Sequence, residues 1–279
     1  MKKISRRSFL AAAGLSVAAL ALTACGGSSA NTASSVASSA ASSEAASTSA
    51  AAGELTTVEA GKLTMATNAA FPPYEMTTDA GEFEGIDIET AQAIADKLGL
   101  ELQIDDMDFD AALLSVQQGK ADIVMAGVTV TDERKAVMDF SDSYATGIQS
   151  IIVPEGSDIA SPDDLPGKKI GTQRGTTGYI YCSDDFGDDN VVAYDDGLTA
   201  VQALNNGQVD AVVIDNAPAK EFVAANPGLV ILDTSYAEED YAIGMAKGSS
   251  LEDAVNAALE ELKADGTLQS IVDKYITAE

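Results

Sequence analysis

Residues 113–127, LLSVQQGKADIVMAG, are echoed by residues 201–215, VQALNNGQVDAVVID. In both segments a helical pattern ends at a glycine, and an aspartate precedes a run of apolar residues typical of a buried strand. A second pair, GKLTMAT at 61–67 and GKKIGTQ at 167–173, occurs in the same order. Strand–helix alternation in any α/β protein also produces such matches, but two pairs in one order favour two similar lobes.

Strand-like runs alternate with helical patterns along the chain. The first half has strand LTMAT, helix IDIETAQAIADKLGL, strand LQI, helix FDAALLSVQQG and strand ADIVMAGVTV. This β-α-β-α-β order predicts a parallel α/β sheet. Two C-terminal helical patterns, SLEDAVNAALEELKADG and TLQSIVDKYI, have no counterpart in the first half. We expect them to return to the first lobe, so that residues 54–145 and 241–279 form lobe 1 and residues 146–240 form lobe 2.

The N-terminus predicts export. Residues 1–24 join a basic segment to a short apolar one, which is typical of a signal peptide. The segment LTAC, ending at Cys25, resembles the lipobox of bacterial lipoproteins, in which the cysteine is lipidated. The segment SRRSFL also resembles a twin-arginine export signal. Residues 25–53 are rich in Ser and Ala and predict a flexible, lipid-anchored linker. We therefore expect an extracytoplasmic protein anchored to the bacterial cell membrane.

Composition excludes several classes of function. The chain has a formal net charge of −28, which makes nucleic acid a poor partner. It has no histidine, and Cys182 is its only cysteine besides Cys25. A zinc site, a Ser-His-Asp triad and an intrachain disulfide are therefore not expected. We predict no metal site and no cofactor.

The segment AGVTVTDERK, residues 126–135, raises a question about Arg134. Thr131 stands at the expected N-cap of a helix, which places Arg134 in the first turn, where the helix dipole is already positive. One interpretation is a solvated arginine neutralised by Asp132 and Glu133. The other is an anion receptor, in which Arg134 binds a carboxylate or a phosphate through two parallel hydrogen bonds.

Four unusual loops follow predicted strands: NAAFPPYE, AGVTVTDER, QRGTTG and DNAP. Ligands of open α/β sheets bind at the carboxyl ends of strands, so these loops line one cleft if the lobes face each other. Asp215 is then either a helix cap or a receptor for a cation, opposite the possible anion receptor at Arg134. A zwitterion, which carries a carboxylate and an ammonium group, needs both receptors. Phe71 is either a hydrophobic plug or a ligand contact, and Thr129 and Thr177 are candidate hydroxyl donors.

Longer runs, among them GKADIVMAGVTVTDERKAVMDFSDSY, GKKIGTQRGTTG and AVVIDNAPA, resemble the solute-binding proteins of polar amino acid ABC importers, the family that includes the glutamine- and histidine-binding proteins. The similarity extends over about residues 63–275. It implies an α/β, two-lobed fold of the type II periplasmic-binding-protein kind. Each lobe would be a mixed, mostly parallel sheet flanked by helices, with the ligand cleft between the lobes.

The resemblance also implies roles for individual residues. It places the ligand carboxylate on Arg134, helped by Thr129, the Gly127 backbone and the loop of Thr176 and Thr177. It places the ligand ammonium on Asp215, and Phe71 and Phe109 against the ligand side chain. Asn68 and Gln173 complete the predicted ligand-binding set. Asn68 stands where several relatives have Asp, which weakens the case for a cationic side chain; Gln173 and Ile214 stand where the glutamine binder has Lys and His.

The predicted function is capture of a free L-amino acid outside the cytoplasm by a monomer, which closes on hinge strands near 144–149 and 237–241 and delivers the ligand to an ABC transporter permease. Two alternatives stay open. One is an enzyme on the same scaffold, similar to cyclohexadienyl dehydratases, with Glu75 or Asp108 as the acid. The other is the ligand-sensing module of a receptor.

Overall fold

The computed structural model describes residues 55–276. The predicted signal peptide at 1–24, the lipidation site Cys25 and most of the linker lie outside the described residues. Among residues 55–276, no helix combines the length and the apolar character that crossing a membrane requires.

Strands and helices alternate as the sequence predicts. The strands are β1 (Lys62–Thr67), β2 (Ala70–Phe71), β3 (Glu75–Thr77), β4 (Phe83–Glu84), β5 (Glu101–Asp106), β6 (Ile123–Val124), β7 (Met138–Phe140), β8 (Ala145–Pro154), β9 (Ile170–Gln173), β10 (Val191–Tyr194), β11 (Ala211–Asp215), β12 (Leu229–Ile231), β13 (Ala237–Tyr241) and β14 (Gly244–Ala246). The helices are α1 (Ile86–Leu98), α2 (Phe109–Gln117), α3 (Asp132–Val137), α4 (Thr177–Phe186), α5 (Gly197–Asn205), α6 (Asn216–Ala225), α7 (Glu252–Ala264) and α8 (Thr267–Tyr275).

Two mixed sheets dominate the fold. The first sheet has the order β5-β1-β6-β14-β7, and the second has the order β10-β9-β11-β8-β12, with β13 also paired to β8. In the first, β1 is parallel to β5 and β6; in the second, β9 is parallel to β10 and β11. The strands predicted from the two sequence pairs, β1 with β6 and β9 with β11, therefore take equivalent places in the two sheets.

The C-terminal helices pack on the first half of the chain. Both α7 and α8 contact α1. Val255 and Leu259 of α7 and Leu268 and Ile271 of α8 are buried, and they belong to the same hydrophobic cluster as the buried face of α1. The C-terminal helices therefore share a hydrophobic core with α1.

One predicted strand is much shorter than expected. The run ADIVMAGVTV predicts a strand up to Val130, but β6 ends at Val124 and the chain leaves the sheet. At Gly127 the backbone has φ +54, and its N–H donates to the carboxylate of Asp87 at 3.0 Å. Val128 is fully buried all the same. An apolar pattern indicates that a segment is buried, and here the buried segment is a loop and not a strand.

Two strands connect the sheets. Strand β8 follows β7 and enters the second sheet, while β13 leads back to β14 in the first. They pair antiparallel, with Gly147 opposite Glu239. A Cβ at position 147 would lie 2.4 Å from Cζ of Tyr241, so the tyrosine ring fills the space that glycine leaves. These strands occupy the segments predicted as hinges.

Candidate functional site

A small cavity lies between the two sheets, and the centres of water molecules can occupy about 30 Å³ of it. The positions predicted to bind a ligand all line it: Asn68, Phe71, Phe109, Gly127, Thr129, Arg134, Gln173, Thr176, Thr177 and Asp215. They lie at the carboxyl ends of β1, β5, β6, β9 and β11 or in the segments that follow these strands.

Local structure turns Arg134 into this cavity. Thr131 caps α3 as predicted, because its hydroxyl accepts a hydrogen bond from the Arg134 N–H at 3.2 Å. Asp132 and Glu133 are exposed, whereas Arg134 is only 8% exposed. The interpretation of Arg134 as a solvated surface residue is therefore wrong.

The Arg134 guanidinium is held by backbone oxygens and an aromatic ring. Its Nη1 donates to the Thr129 carbonyl at 2.7 Å, its Nη2 donates to the Gly175 carbonyl at 3.1 Å, and its Cζ lies 5.4 Å from the centre of the Phe109 ring. Burial lowers the pKa of Arg134, and the negative charge of Glu239 opposes that effect. An arginine has five N–H groups, so this buried cation retains donors for an anion in the cavity.

Asp215 is a helix cap, one of the two possibilities that the sequence left open, and its place in the cavity is compatible with the other. Its Oδ1 accepts the Ala217 N–H at 3.0 Å as the cap of α6, and its Oδ2 accepts the Ile148 N–H at 2.7 Å. It also lines the cavity. Burial raises the pKa of Asp215 to about 6, against the opposing effect of hydrogen bonds from Ile148, Ala217 and the Tyr241 side chain. A positive group in the cavity would stabilise the ionised carboxylate.

Direct hydrogen bonds join the two sides of the cavity. The Gln173 amide donates to Oδ1 of Asn68 at 2.8 Å, and the Asn68 amide donates to the Met107 carbonyl at 2.9 Å. Together with the bond from Arg134 to Gly175, this contact links the loops of the first sheet to those of the second. The structure therefore describes a closed arrangement of the two sheets.

Aromatic rings form one wall. Phe71, predicted to lie in a loop, belongs to β2 and stacks on Tyr74 with ring centres 5.8 Å apart. Tyr74 in turn meets the Tyr241 ring edge to face at 5.4 Å. A Cβ at Gly127 would lie 2.9 Å from the Phe71 ring, so the glycine allows this close packing.

A buried pair of carboxyl groups, Glu75 and Asp87, was not predicted as part of the binding site. Both are fully buried; Glu75 lines the cavity, and Asp87 accepts hydrogen bonds from the Gly127 N–H and, at 2.8 Å, the Tyr144 hydroxyl. Burial and then the charge of Asp87 raise the pKa of Glu75 well above its usual value, and burial raises that of Asp87 to about 6. A proton on Glu75 lets it donate to Asp87, since two adjacent carboxylates resist ionising together.

The strands β8 and β13 supply further residues that sequence reasoning missed. Gln149 and Tyr241 line the cavity, and Glu239 is buried beside them. Along β13, Glu239 and Tyr241 are buried while Glu238 and Asp240 are exposed. This period-two alternation could have indicated a strand with one buried face, although an acidic residue on the buried face is contrary to the usual pattern.

Asp108, one of the two residues named as the acid of a possible enzyme, is exposed.

Comparisons with known proteins agree with this architecture. The model of the bacterial extracellular solute-binding proteins, family 3, matches residues 63–278. A probable histidine-binding protein of Neisseria gonorrhoeae is 33% identical over 276 residues, which cover 96% of this chain and 95% of that protein.

Two solved structures are similar throughout the described part of the chain. The arginine-, lysine-, histidine-binding protein of Geobacillus stearothermophilus aligns with a TM-score of 0.75 and 34% identity, over 78% of this chain and 96% of that one. An ancestral arginine-binding protein bound to arginine aligns with a TM-score of 0.74 and 43% identity, over 77% of this chain and 98% of that one. The predicted fold class, two α/β lobes of the type II periplasmic-binding-protein kind, is confirmed.

Proposed function

Because the chain belongs to family 3 of the bacterial extracellular solute-binding proteins, we propose that it captures a free L-α-amino acid outside the cytoplasm and delivers it to the permease of an ABC transporter. The proposal rests on the observation that Arg134 and Asp215 both line one closed cavity. One offers a buried cation and the other a buried anion, which are the receptors that an α-carboxylate and an α-ammonium require.

In this proposal, Arg134 binds the ligand carboxylate and Asp215 binds the ligand ammonium. The Gly127 backbone, Thr129 and the loop of Thr176 and Thr177 surround the α-carbon. Phe71, Phe109, Asn68 and Gln173 contact the ligand side chain. The two lobes, residues 54–145 with 241–279 and residues 146–240, close on the ligand through β8 and β13.

We further propose a cationic ligand side chain. Once Arg134 and Asp215 are paired with the ligand's own charges, Glu75 and Glu239 remain as buried acidic groups in or beside the cavity. No second Lys or Arg lines it among the described residues. A positive side chain next to Glu75 favours the loss of its proton, and the resulting carboxylate supplies the negative charge that the amide of Asn68 lacks. Similarity to proteins that bind arginine, lysine or histidine supports this ligand class.

Residues outside the described part complete the proposal. Residues 1–24 act as a signal peptide, Cys25 is lipidated, and the linker of residues 25–53 tethers a monomeric binding domain to the cell membrane. Catalysis is not part of the proposed role. Glu75, the nominated acid within the cavity, is held against Asp87, and an assay of prephenate or arogenate turnover is expected to give no product.

A thermal-shift survey of the purified protein with the twenty common L-amino acids tests the proposal. A ligand at about 1,000 times its dissociation constant stabilises a protein by about 4 kcal/mol. We expect the cationic amino acids to raise the melting temperature and Arg134→Ala to abolish the response. Arg174→Ala is the matched control, because Arg174 is half-exposed and pairs with Asp195 at 3.6 Å. No response to any amino acid, or an equal response in Arg134→Ala, would refute the proposed function.

A further inference from the structure

One carboxylate oxygen beside the cavity receives three hydrogen bonds from three parts of the fold. Oε2 of Glu239 accepts from the Thr129 hydroxyl at 3.1 Å, from the Thr177 hydroxyl at 2.9 Å and from the Gln149 amide at 2.9 Å. Thr129 follows β6 of the first sheet, Thr177 begins α4 beside the second sheet, and Gln149 belongs to the connecting strand β8. We call these four residues the Glu239 junction.

The junction exists only when the two sides of the cavity are close. The hydroxyl oxygens of Thr129 and Thr177 are 3.4 Å apart, although each comes from the loop region of a different sheet. Both residues are nearly fully buried, and so is Glu239. Hydrogen bonds to a buried carboxylate are stronger than those between neutral groups, and separating the two sides breaks at least one of them.

We propose that Glu239 is a positioning residue that stabilises the closed arrangement by joining Thr129 of one lobe to Thr177 of the other. This inference rests on the proposed function, because its consequence is retention of the amino acid. Glu239 itself lies on the connecting strand β13, so it remains next to the hinge whether the lobes are open or closed.

The junction also fixes how the two threonines face a ligand. A hydroxyl has a single hydrogen, and both threonines donate it to Glu239. In the closed form their hydroxyl oxygens offer only lone pairs to the cavity. They therefore cannot donate to the ligand carboxylate, which depends on Arg134 and on backbone N–H groups.

The test compares Glu239→Gln with Glu238→Gln in the full-length protein. Both changes remove one negative charge from β13, but Glu238 is exposed. L-Arginine is the probe, and its association and dissociation rates are measured by stopped-flow tyrosine fluorescence. We expect Glu239→Gln to raise the dissociation rate about tenfold to a hundredfold, since it weakens hydrogen bonds to a charged group, with the association rate changed less than about threefold. Glu238→Gln should match wild type.

A second measurement does not require a ligand. Small-angle scattering of the ligand-free proteins should give a larger radius of gyration for Glu239→Gln than for Glu238→Gln. In addition, the effects of Thr177→Val and Glu239→Gln on dissociation should be less than additive, because both break the same junction.

The outcomes separate the two proposals. If wild type binds none of the amino acids, the proposed function fails and the scattering comparison alone decides the role of Glu239. If wild type binds L-arginine but Glu239→Gln has the radius and dissociation rate of Glu238→Gln, the junction does not stabilise closure. A lowered melting temperature with both of these unchanged would also overturn the inference, since it would indicate a role in folding only.

Discussion

Lowering the pH from about 7 to about 5 should weaken amino acid binding about tenfold through Asp215 alone. Burial raises the pKa of this carboxyl to about 6, while a ligand ammonium pairs with its ionised form. Below the pKa a proton occupies the carboxylate, and it must leave before the ammonium binds. With a pKa near 6, the apparent dissociation constant rises by a factor of about 10 between pH 7 and pH 5. The ligand's α-groups keep their charges in this range.

The stability of the ligand-free protein should respond in the opposite direction. The pKa of Asp215 is higher in the folded protein than its ordinary value, so the folded state holds the proton more tightly than the unfolded state. The contribution of Asp215 to stability is therefore fully present below about pH 4 and is lost as the pH rises through about 6. Asp87, whose pKa is also raised to about 6, contributes with the same sign. Loss of affinity at low pH is thus not a consequence of unfolding by these groups.

Calorimetric titration at several pH values, with Asp215→Asn as the comparison, provides the assay. The variant should bind more weakly at pH 7, and its affinity should change less between pH 7 and pH 5 than that of wild type. A wild-type affinity that does not change with pH would refute the assignment of Asp215 as the ammonium receptor. So would an Asp215→Asn variant that keeps the full tenfold change.

Three further changes should have distinct effects. Gly147→Ala places a methyl group 2.4 Å from the Tyr241 ring, so we expect a loss of about 1–3 kcal/mol in the free energy of unfolding, measured by urea denaturation, together with weaker ligand binding. Glu75→Gln should weaken L-arginine binding about tenfold to a hundredfold but leave L-glutamine binding nearly unchanged in calorimetry, and equal losses would contradict the cationic preference. Gln173→Ala removes the 2.8 Å bond to Asn68 and should speed ligand dissociation by less than about tenfold; an unchanged rate would mean that this bond does not contribute to closure.

The parts of the site that the sequence predicts correctly depend on local signals. Thr131 caps α3 and brings Arg134 to a fixed place in its first turn, and Asp215 ends a buried strand directly before a helix. The repeat of strand and helix patterns then places these loops at equivalent ends of two sheets. Local rules and the repeat account for the fold and for Arg134 and Asp215, whereas Asn68, Phe109, Gln173 and Thr176 were predicted from the family resemblance.

The missed features depend on contacts between distant segments. Glu75 and Asp87 become a coupled pair only when β3 and α1 pack together, and neither residue differs locally from a solvated carboxylate. Glu239 lies on the buried face of β13, where an apolar residue is expected, and its partners come from three other segments. The early end of β6 was missed because a buried loop and a buried strand have the same apolar composition.

The central claim is that Arg134 and Asp215 hold the two charged groups of an α-amino acid, and one titration series tests it most directly. The ligand that gives the largest thermal shift is compared, by calorimetry at pH 7, with its methyl ester and with its N-acetyl derivative. The ester lacks the carboxylate that Arg134 binds, and the acetyl derivative lacks the ammonium that Asp215 binds. Each loss of a charged partner should weaken binding about tenfold or more, because hydrogen bonds to charged groups contribute about 1.5–3 kcal/mol. Either derivative binding as tightly as the free amino acid would contradict the claim.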